Sequence, residues 1–216
     1  REPGAQNPAI PTWAAHTDNA FALDSSSAQT QQQTVRREIS EVPGAYQLLN
    51  VFSEQECRKL LKTSEELGYL KDAAVSLPRE IRHNDNVTIV VDDATERLIW
   101  QRIESLTQQN LAIFDGKKPL GINTRFRFYR YQEGDYFKYH IDGDWPGSKV
   151  EGDTLIHNAY SDRYSKMTFL ILLNDNFEGG DTQFLVNADQ PGKPAKRGDR
   201  QAQVNVRTPA GGVLLF

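Results

Sequence analysis

The stretch RYQEGDYFKYHIDGDW, residues 130–145, places a histidine and an aspartate one residue apart in an aromatic run that follows a glycine turn. In an extended strand, side chains at alternate positions project from the same face, so His140 and Asp142 can reach one ion. An imidazole and a carboxylate are two of the three ligands of the facial triad that binds non-haem ferrous iron and leaves coordination positions open. The alternative is a histidine at a strand end that is hydrogen-bonded to its neighbour.

Two helices precede most of the predicted strands. In SEQECRKLLKTSEELGY, Ser53 and Glu56 have the spacing of a capping box, and Gly68 is typical of a helix end. The apolar residues between them recur on one face, which predicts a helix that covers a core. A second amphipathic helix is predicted to begin at Asp92 or Asp93, where a carboxylate suits the helix dipole.

Strand patterns dominate the rest of the chain. A strand is predicted at AYQLLNVF, and alternating or β-branched runs then occur at INTRFRFYRY, YFKYHID, KMTFLILLN, DTQFLV, QAQVNVR and GGVLLF. Two helices followed by many strands predict an α+β domain over residues 41–216, with a sandwich or barrel as its catalytic half. Residues 1–40 are rich in Ala, Ser, Thr, Gln and Pro and predict a flexible or loosely packed arm. Trp13, Phe21 and Leu23 are the residues expected to pin this arm to the domain.

Composition limits the classes of partner. The chain has 216 residues, of which 38% are hydrophobic and 25% are charged, as in ordinary globular domains. Its net charge of −4 argues against a general nucleic-acid-binding protein. The longest apolar run, FLILL, is too short for a membrane span, so we expect no membrane partner. The single cysteine, Cys57, excludes an internal disulfide and favours a reducing, cytoplasmic location.

The order of the motifs resembles that of the iron(II)- and 2-oxoglutarate-dependent dioxygenases of the prolyl 4-hydroxylase type. In that family a strand carries His-x-Asp, a threonine-containing strand ends in Leu-Asn, a Gly-Gly-x-Thr-x-Phe turn follows, and a Pro-x-x-Gly strand comes next. The matching stretches here are RYQEGDYFKYHIDGDW, RYSKMTFLILLNDNFEGGDTQFLV and VRTPAGGVLLF. The opening QLLNVFSEQECRKLLKTSEELGY is similar to the first strand and helix of the family. The resemblance extends from Tyr46 to Phe216.

The resemblance implies roles for four residues. His140 and Asp142 are expected to be ligands of Fe(II). Tyr131 matches the tyrosine that contacts 2-oxoglutarate in related hydroxylases, and Thr168 matches a position that faces this co-substrate in some relatives. The alternatives are an aromatic core residue at Tyr131 and a threonine that reflects strand propensity at Thr168. The implied fold is a double-stranded β-helix, a cupin-like jelly roll, with N-terminal supporting helices.

The sequence departs from the family pattern in one respect. The family has a second metal-binding histidine on a later strand, followed by a lysine or arginine that pairs with the far carboxylate of 2-oxoglutarate. Neither follows GGVLLF, and we therefore expect that the domain as given lacks its C-terminal end. His83 and His157 are disfavoured as substitutes, because His83 precedes the predicted barrel and His157 follows Asp142 too closely.

The function implied by the resemblance is hydroxylation of an unactivated C–H bond. The expected cofactors are Fe(II), 2-oxoglutarate as co-substrate and O₂, with ascorbate as a candidate reductant, and succinate and CO₂ are released. The substrate is expected to be a prolyl or other side chain of a peptide or protein, or a small molecule, because one architecture serves many reactions. The alternative is a jelly-roll binding module that retains the fold without the chemistry. A zinc hydrolase is disfavoured because HExxH and cysteine-rich ligand sets are both missing from the sequence.

Two further features concern the substrate entrance. The loops at Leu77 to Asn86 and Asp144 to Tyr160, the second of which includes Trp145, are expected to form it. On a predicted strand between these two loops, two arginines and two tyrosines share a face; these residues are Arg125, Arg127, Tyr129 and Tyr131. A row inside a barrel would suit an anionic or polar ligand, whereas a row outside would be a solvated face.

Overall fold

The computed structural model describes residues 11–25, 33–71, 80–190 and 192–216. The described residues form two α-helices among many short strands in several antiparallel sheets, which confirms the α+β class. Within these ranges, no helix is long and apolar enough to cross a membrane. The chain divides into two compact units. Unit 1 comprises Arg1–Ser25, Lys59–Gln101 and Leu120–Lys166, and unit 2 comprises Ser26–Arg58, Arg102–Pro119 and Met167–Phe216.

The helices and strands occur in the following order. They are β1 (Thr12–Ala14), β2 (Val35–Glu38), β3 (Tyr46–Leu49), α1 (Glu54–Leu67), β4 (Arg82–His83), β5 (Asp85–Val90), α2 (Asp93–Thr107), a 3₁₀ helix (Leu111–Phe114), β6 (Arg125–Arg130), β7 (Tyr136–Phe137), β8 (Lys149–Glu151), β9 (Thr154–Ile156), β10 (Phe169–Ile171), β11 (Thr182–Asn187), β12 (Gln201–Val206) and β13 (Val213–Leu215).

Unit 1 is organised around β5, whose residues are all buried. Strand β1 pairs with β5 in parallel and β6 pairs with it in antiparallel orientation. Phe21 is buried, and its ring lies 6.0 Å from that of Phe126 and 5.9 Å from that of Phe128. Leu23 is also buried, whereas Trp13 is 46% exposed. The N-terminal segment thus supplies a strand and core side chains to unit 1.

The two-residue ladder between β4 and β7 determines where the candidate site begins. Arg82 lies opposite Phe137, and His83 lies opposite Tyr136. The sequence predicts a strand through YFKYHID, but the structure ends this strand at Phe137, and residues 138–145 form none. The Lys138 N–H still donates to the Ile81 carbonyl at 2.8 Å, but no strand in the described part of the chain pairs with residues 138–145. The prediction that His140 stands on a strand is therefore wrong.

Unit 2 contains an antiparallel sheet in the order β10, β13, β3, β2 and a separate ladder of β11 and β12. These strands confirm the predictions at AYQLLNVF, KMTFLILLN, DTQFLV, QAQVNVR and GGVLLF. Val42, Ala45 and Val186 form a buried cluster against which further apolar side chains pack. The rings of Phe184 and Phe216 meet edge to face at 5.0 Å beside it. Alternating apolar positions on β11 and β12 thereby reach a common core.

Both predicted helix starts are confirmed. Ser53 Oγ accepts a hydrogen bond from the Glu56 backbone N–H at 3.2 Å, and Glu56 Oε2 accepts one from the Ser53 N–H at 2.9 Å, which is the reciprocal capping box. Gly68 follows α1 with φ of +84°, a conformation that glycine adopts without strain. Asp92 caps α2, since its Oδ1 accepts from the Thr95 N–H at 2.8 Å.

The carboxylate of Glu56 is buried and has a cationic partner in unit 2. Arg102 Nη2 donates to Glu56 Oε1 at 2.6 Å, and Arg102 Nη1 donates to Glu56 Oε2 at 3.1 Å. The same Nη1 donates to the carbonyl of Val51 at 3.0 Å. This bidentate pair satisfies a charge that would otherwise be costly to bury.

We predict that Arg102→Met lowers the free energy of unfolding by about 3 kcal/mol, because it leaves the Glu56 carboxylate buried without its cation. The matched control is Arg58→Met, which removes an exposed ion pair with Glu54 on the surface of α1 and should cost less than about 0.5 kcal/mol. Urea denaturation followed by circular dichroism measures both values. Equal losses in the two variants would contradict the prediction.

Candidate functional site

His140 and Asp142 lie together in unit 1, in the segment that follows β7. The distance from His140 Nε2 to Asp142 Oδ1 is 3.1 Å. On the other side of the ring, His140 Nδ1 lies 2.7 Å from the carbonyl oxygen of Lys138. Because a carbonyl oxygen only accepts, Nδ1 carries a proton, so Nε2 can donate to the Asp142 carboxylate only when the ring is protonated and keeps its lone pair when the ring is neutral.

Solvent reaches both members of this pair. The side chain of His140 is 25% exposed and that of Asp142 is 43% exposed. The pKa of His140 is raised, chiefly by the hydrogen bond to Asp142, while burial acts in the opposite direction. The contact fits two ligands that converge on one cation, and it also fits a histidine hydrogen-bonded to its neighbour, the alternative that the sequence left open.

An aromatic and cationic frame supports His140. The ring of Phe137 stacks on the imidazole with centroids 3.7 Å apart. The Arg82 guanidinium lies 5.1 Å from the Phe137 ring centroid and 4.2 Å from that of Tyr129. The pairing of Arg82 with Phe137 across β4 and β7 brings these side chains to the same face. The position of His140 therefore depends on the short ladder rather than on a strand of its own.

Tyr131 immediately follows β6, beside this frame. The residue is 48% exposed, yet the phenol end lies among protein groups, and this burial raises the pKa of Tyr131 to about 12. Tyr129 adds to the rise, whereas Arg82 and Asn84 oppose it. The electrostatic influence of Arg82 extends to both Tyr131 and His140.

Thr168 belongs to unit 2, whereas the other three predicted site residues belong to unit 1. Its backbone N–H donates to the Phe216 carbonyl at 2.8 Å, and the Phe216 N–H donates back at 3.3 Å. These two bonds extend the ladder of β10 and β13. Thr168 thus has a place in the sheet, and a contact with 2-oxoglutarate remains a prediction.

The other two histidines considered from sequence have different partners. His83 Nδ1 lies 2.6 Å from Asp135 Oδ1, and its ring stacks on that of Tyr136. The His157 carbonyl accepts from Ser148 Oγ at 3.0 Å, and burial lowers the pKa of the His157 ring. Among the residues that the structure describes, no group of three His, Cys, Asp or Glu side chains is arranged to hold a metal ion.

The row of arginines on β6 packs against Trp145. The Arg125 guanidinium lies 4.5 Å from the Trp145 ring centroid, and that of Arg127 lies 5.0 Å from it. Arg127 Nη1 also donates to the Tyr129 hydroxyl at 3.2 Å. Both arginines are half-buried. This row is therefore neither a fully solvated face nor a sealed interior.

The entrance loops are described in part. Residues 77–79 lie outside the described residues, and the remainder of the first loop contains β4 and the start of β5. The second loop contains the hairpin of β8 and β9. Arg82, whose guanidinium packs on the Phe137 ring, was not singled out from the sequence, because its pairing with Phe137 across β4 and β7 leaves no local signal.

Searches against models of protein families, against curated proteins and against solved structures found no match.

We predict that neutral His140 carries its proton on Nδ1, because the Lys138 carbonyl accepts from that nitrogen. Long-range proton–nitrogen NMR, recorded at a pH where the ring is neutral, distinguishes the two tautomers. Asp142→Asn should retain the Nδ1–H form, since the Lys138 contact remains. A predominant Nε2–H form would show that the ring is not oriented for ligation through Nε2.

Proposed function

We propose that this chain is an Fe(II)- and 2-oxoglutarate-dependent dioxygenase that hydroxylates an unactivated C–H bond. The observation that carries the proposal is the convergence of His140 Nε2 and Asp142 Oδ1 at 3.1 Å. The Lys138 carbonyl supports it by holding Nδ1 and leaving Nε2 as the ligating nitrogen. Bound iron would supply the activation of O₂ that is coupled to conversion of 2-oxoglutarate to succinate and CO₂.

The donor set fits ferrous iron in chemistry, since an imidazole nitrogen and a carboxylate oxygen are two members of the facial triad. The proposal also requires a second histidine, and the described residues do not bring one to the pair. The double-stranded β-helix is likewise part of this proposal, which the antiparallel sheets support.

The protein residues would have distinct tasks. Phe137 would hold the His140 imidazole by stacking, and Tyr131 would contact 2-oxoglutarate through its phenol, with Thr168 as a second residue facing the co-substrate. The Tyr131 hydroxyl is protonated at neutral pH, as phenols ordinarily are, so that it can donate a hydrogen bond to an anionic ligand.

Apolar side chains around the pair favour a substrate with a substantial contact surface. Ile141 is 96% exposed and Tyr139 is 48% exposed, and both flank His140. Exposed apolar groups beside a polar site are typical of a binding surface. We therefore favour a prolyl or other side chain of a peptide or protein as substrate over a small metabolite.

A binding module without catalysis is the second candidate. It is favoured by the direct contact of His140 with Asp142, which satisfies both groups without an ion, and by the two-ligand count in the described residues. In that case the site would bind its ligand without consuming 2-oxoglutarate.

The test is an anaerobic titration of the purified protein with Fe(II) and 2-oxoglutarate, followed by an assay of succinate after O₂ is admitted. We expect a weak visible charge-transfer band and succinate release. His140→Ala and Asp142→Ala should each reduce both signals by at least about 100-fold, because each removes a direct ligand. The matched control, His83→Ala, removes an imidazole that pairs with Asp135 and should retain both signals.

Two results would reject the proposal. The first is a protein that binds neither Fe(II) nor 2-oxoglutarate although it is folded. The second is equal loss in the His83 control and in the two ligand variants, which would indicate a structural effect. Ligand binding without succinate release would favour the binding module.

A further inference from the structure

The loop that joins β11 to β12 concentrates exposed positive charge in an acidic chain. Its described residues are 188–190 and 192–200, and the chain as a whole has a net charge of −4. The basic side chains of the loop are all exposed; they are Lys193, Lys196, Arg197 and Arg200. The partners of these charges within the loop decide how many remain available to a ligand.

The two carboxylates of the loop are both committed to other groups. Asp189 forms an ion pair with Arg200. Asp199 Oδ2 accepts hydrogen bonds from the Asn187 side-chain amide at 2.8 Å and from the Lys196 backbone N–H at 2.8 Å. Three cations of the loop have no ion pair with any residue that the structure describes; they are Lys193, Lys196 and Arg197.

Asn187, the last residue of β11, fixes the shape of the loop. It is 8% exposed, and its Oδ1 accepts from the backbone N–H groups of Asp189 and Gln190, both at 2.9 Å. Its own backbone N–H donates to the Lys193 carbonyl at 3.1 Å. An ordered loop therefore presents the three unpaired cations, which reduces the conformational entropy that a partner must remove on binding.

The loop borders a row of amide side chains on the outer face of the β11 and β12 ladder. Asn187 lies opposite Gln201, and cross-strand partners share one face of a ladder. The Asn187 side chain and the loop bonded to it therefore lie at one end of this face. The exposed residues of the face are Gln183, Leu185, Gln201, Gln203 and Asn205. Side-chain amides both donate and accept hydrogen bonds, as a peptide backbone does.

We propose that this loop and the adjoining amide row form a docking surface for an acidic segment of a protein or peptide. The three unpaired cations would pair with the carboxylates of the segment, and the amides would bond to its backbone. The proposal is independent of the proposed function, because none of the residues that carry it belongs to the candidate site.

The composition of the surface favours an acidic polypeptide over a nucleic acid. Proteins hold unpaired bases by stacking them on aromatic rings. The sequence of residues 188–200 includes no aromatic residue, and the exposed positions of the outer face are amides and one leucine. A nucleic-acid backbone also requires many cationic contacts, which a net charge of −4 opposes beyond the loop.

The experiment measures the affinity of a fluorescein-labelled decaglutamate peptide by fluorescence anisotropy. The test variant combines Lys193→Gln, Lys196→Gln and Arg197→Gln. We expect it to bind the peptide about tenfold more weakly than the parent protein does, because three charge pairs are lost. Raising the NaCl concentration from about 50 mM to about 200 mM should weaken binding to the parent protein and change binding to the variant little.

The matched control makes the same change in net charge at exposed cations that already have a glutamate partner. It combines Arg58→Gln, Lys62→Gln and Lys118→Gln. We expect this control to bind decaglutamate within about twofold of the parent protein, because charges far from the docking surface are screened by salt.

Two further measurements test the order of the loop and the class of partner. Asn187→Ala retains all three cations, and we expect it to bind decaglutamate about threefold more weakly, because the loop must then be ordered on binding. An oligothymidylate of matched charge should bind to the parent protein more weakly than decaglutamate does. Circular dichroism verifies that each variant is folded.

Three results would overturn the proposal. The first is that the parent protein does not bind decaglutamate, or that the two triple variants weaken binding equally. The second is tighter binding of the oligothymidylate, which would assign the surface to a nucleic acid. The third is an Asn187→Ala variant that binds like the parent protein, which would reduce the surface to unspecific charge. None of these results affects the Fe(II) titration or the succinate assay.

Discussion

The candidate site depends on the pairing of β4 with β7. This ladder has two residue pairs, and it places Arg82 opposite Phe137 and His83 opposite Tyr136. Phe137, in the first pair, stacks on the His140 ring, and Arg82, its partner, packs on aromatic rings. Cross-strand neighbours lie on the same face of a ladder. A shift of the register by one residue would therefore exchange the faces of Arg82 and His83 and place His83 on the side of His140. The geometry of the site is thus a consequence of register in a very short ladder.

Within each unit, buried ionised groups differ in whether they have a partner of opposite charge. The Glu56 and Asp85 carboxylates are each paired with an arginine, which is the usual condition for burying an ionised group. Arg82 is buried without a carboxylate in the described part of the chain and with aromatic rings as neighbours. Protein cores seldom retain such a group unless a ligand or ordered water completes it.

Local signals predicted the elements well and the site only in part. The capping box at Ser53 and Glu56, the start of α2 and the strands of unit 2 are confirmed, because each is set by residues a few positions apart. The strand through His140 was wrong because a strand needs a partner, and the pattern of YFKYHID carries no information about the length of β4. Arg82 was missed because its contact with Phe137 joins segments far apart in the chain, which only packing reveals.

The sequence by itself determined the α+β class, the starts of both helices, the end of α1 and the adjacency of His140 and Asp142, since these depend on local propensity and on spacing along the chain. The tertiary structure alone decided that His140 stacks on Phe137, that its Nδ1 faces the Lys138 carbonyl, and that Arg82 lies beside it without a counter-charge in the described part of the chain. The first two features join near neighbours in the chain at the point where β7 ends, and the third joins segments that are far apart in the chain. Their physical cause is register and burial, which a one-dimensional pattern does not encode.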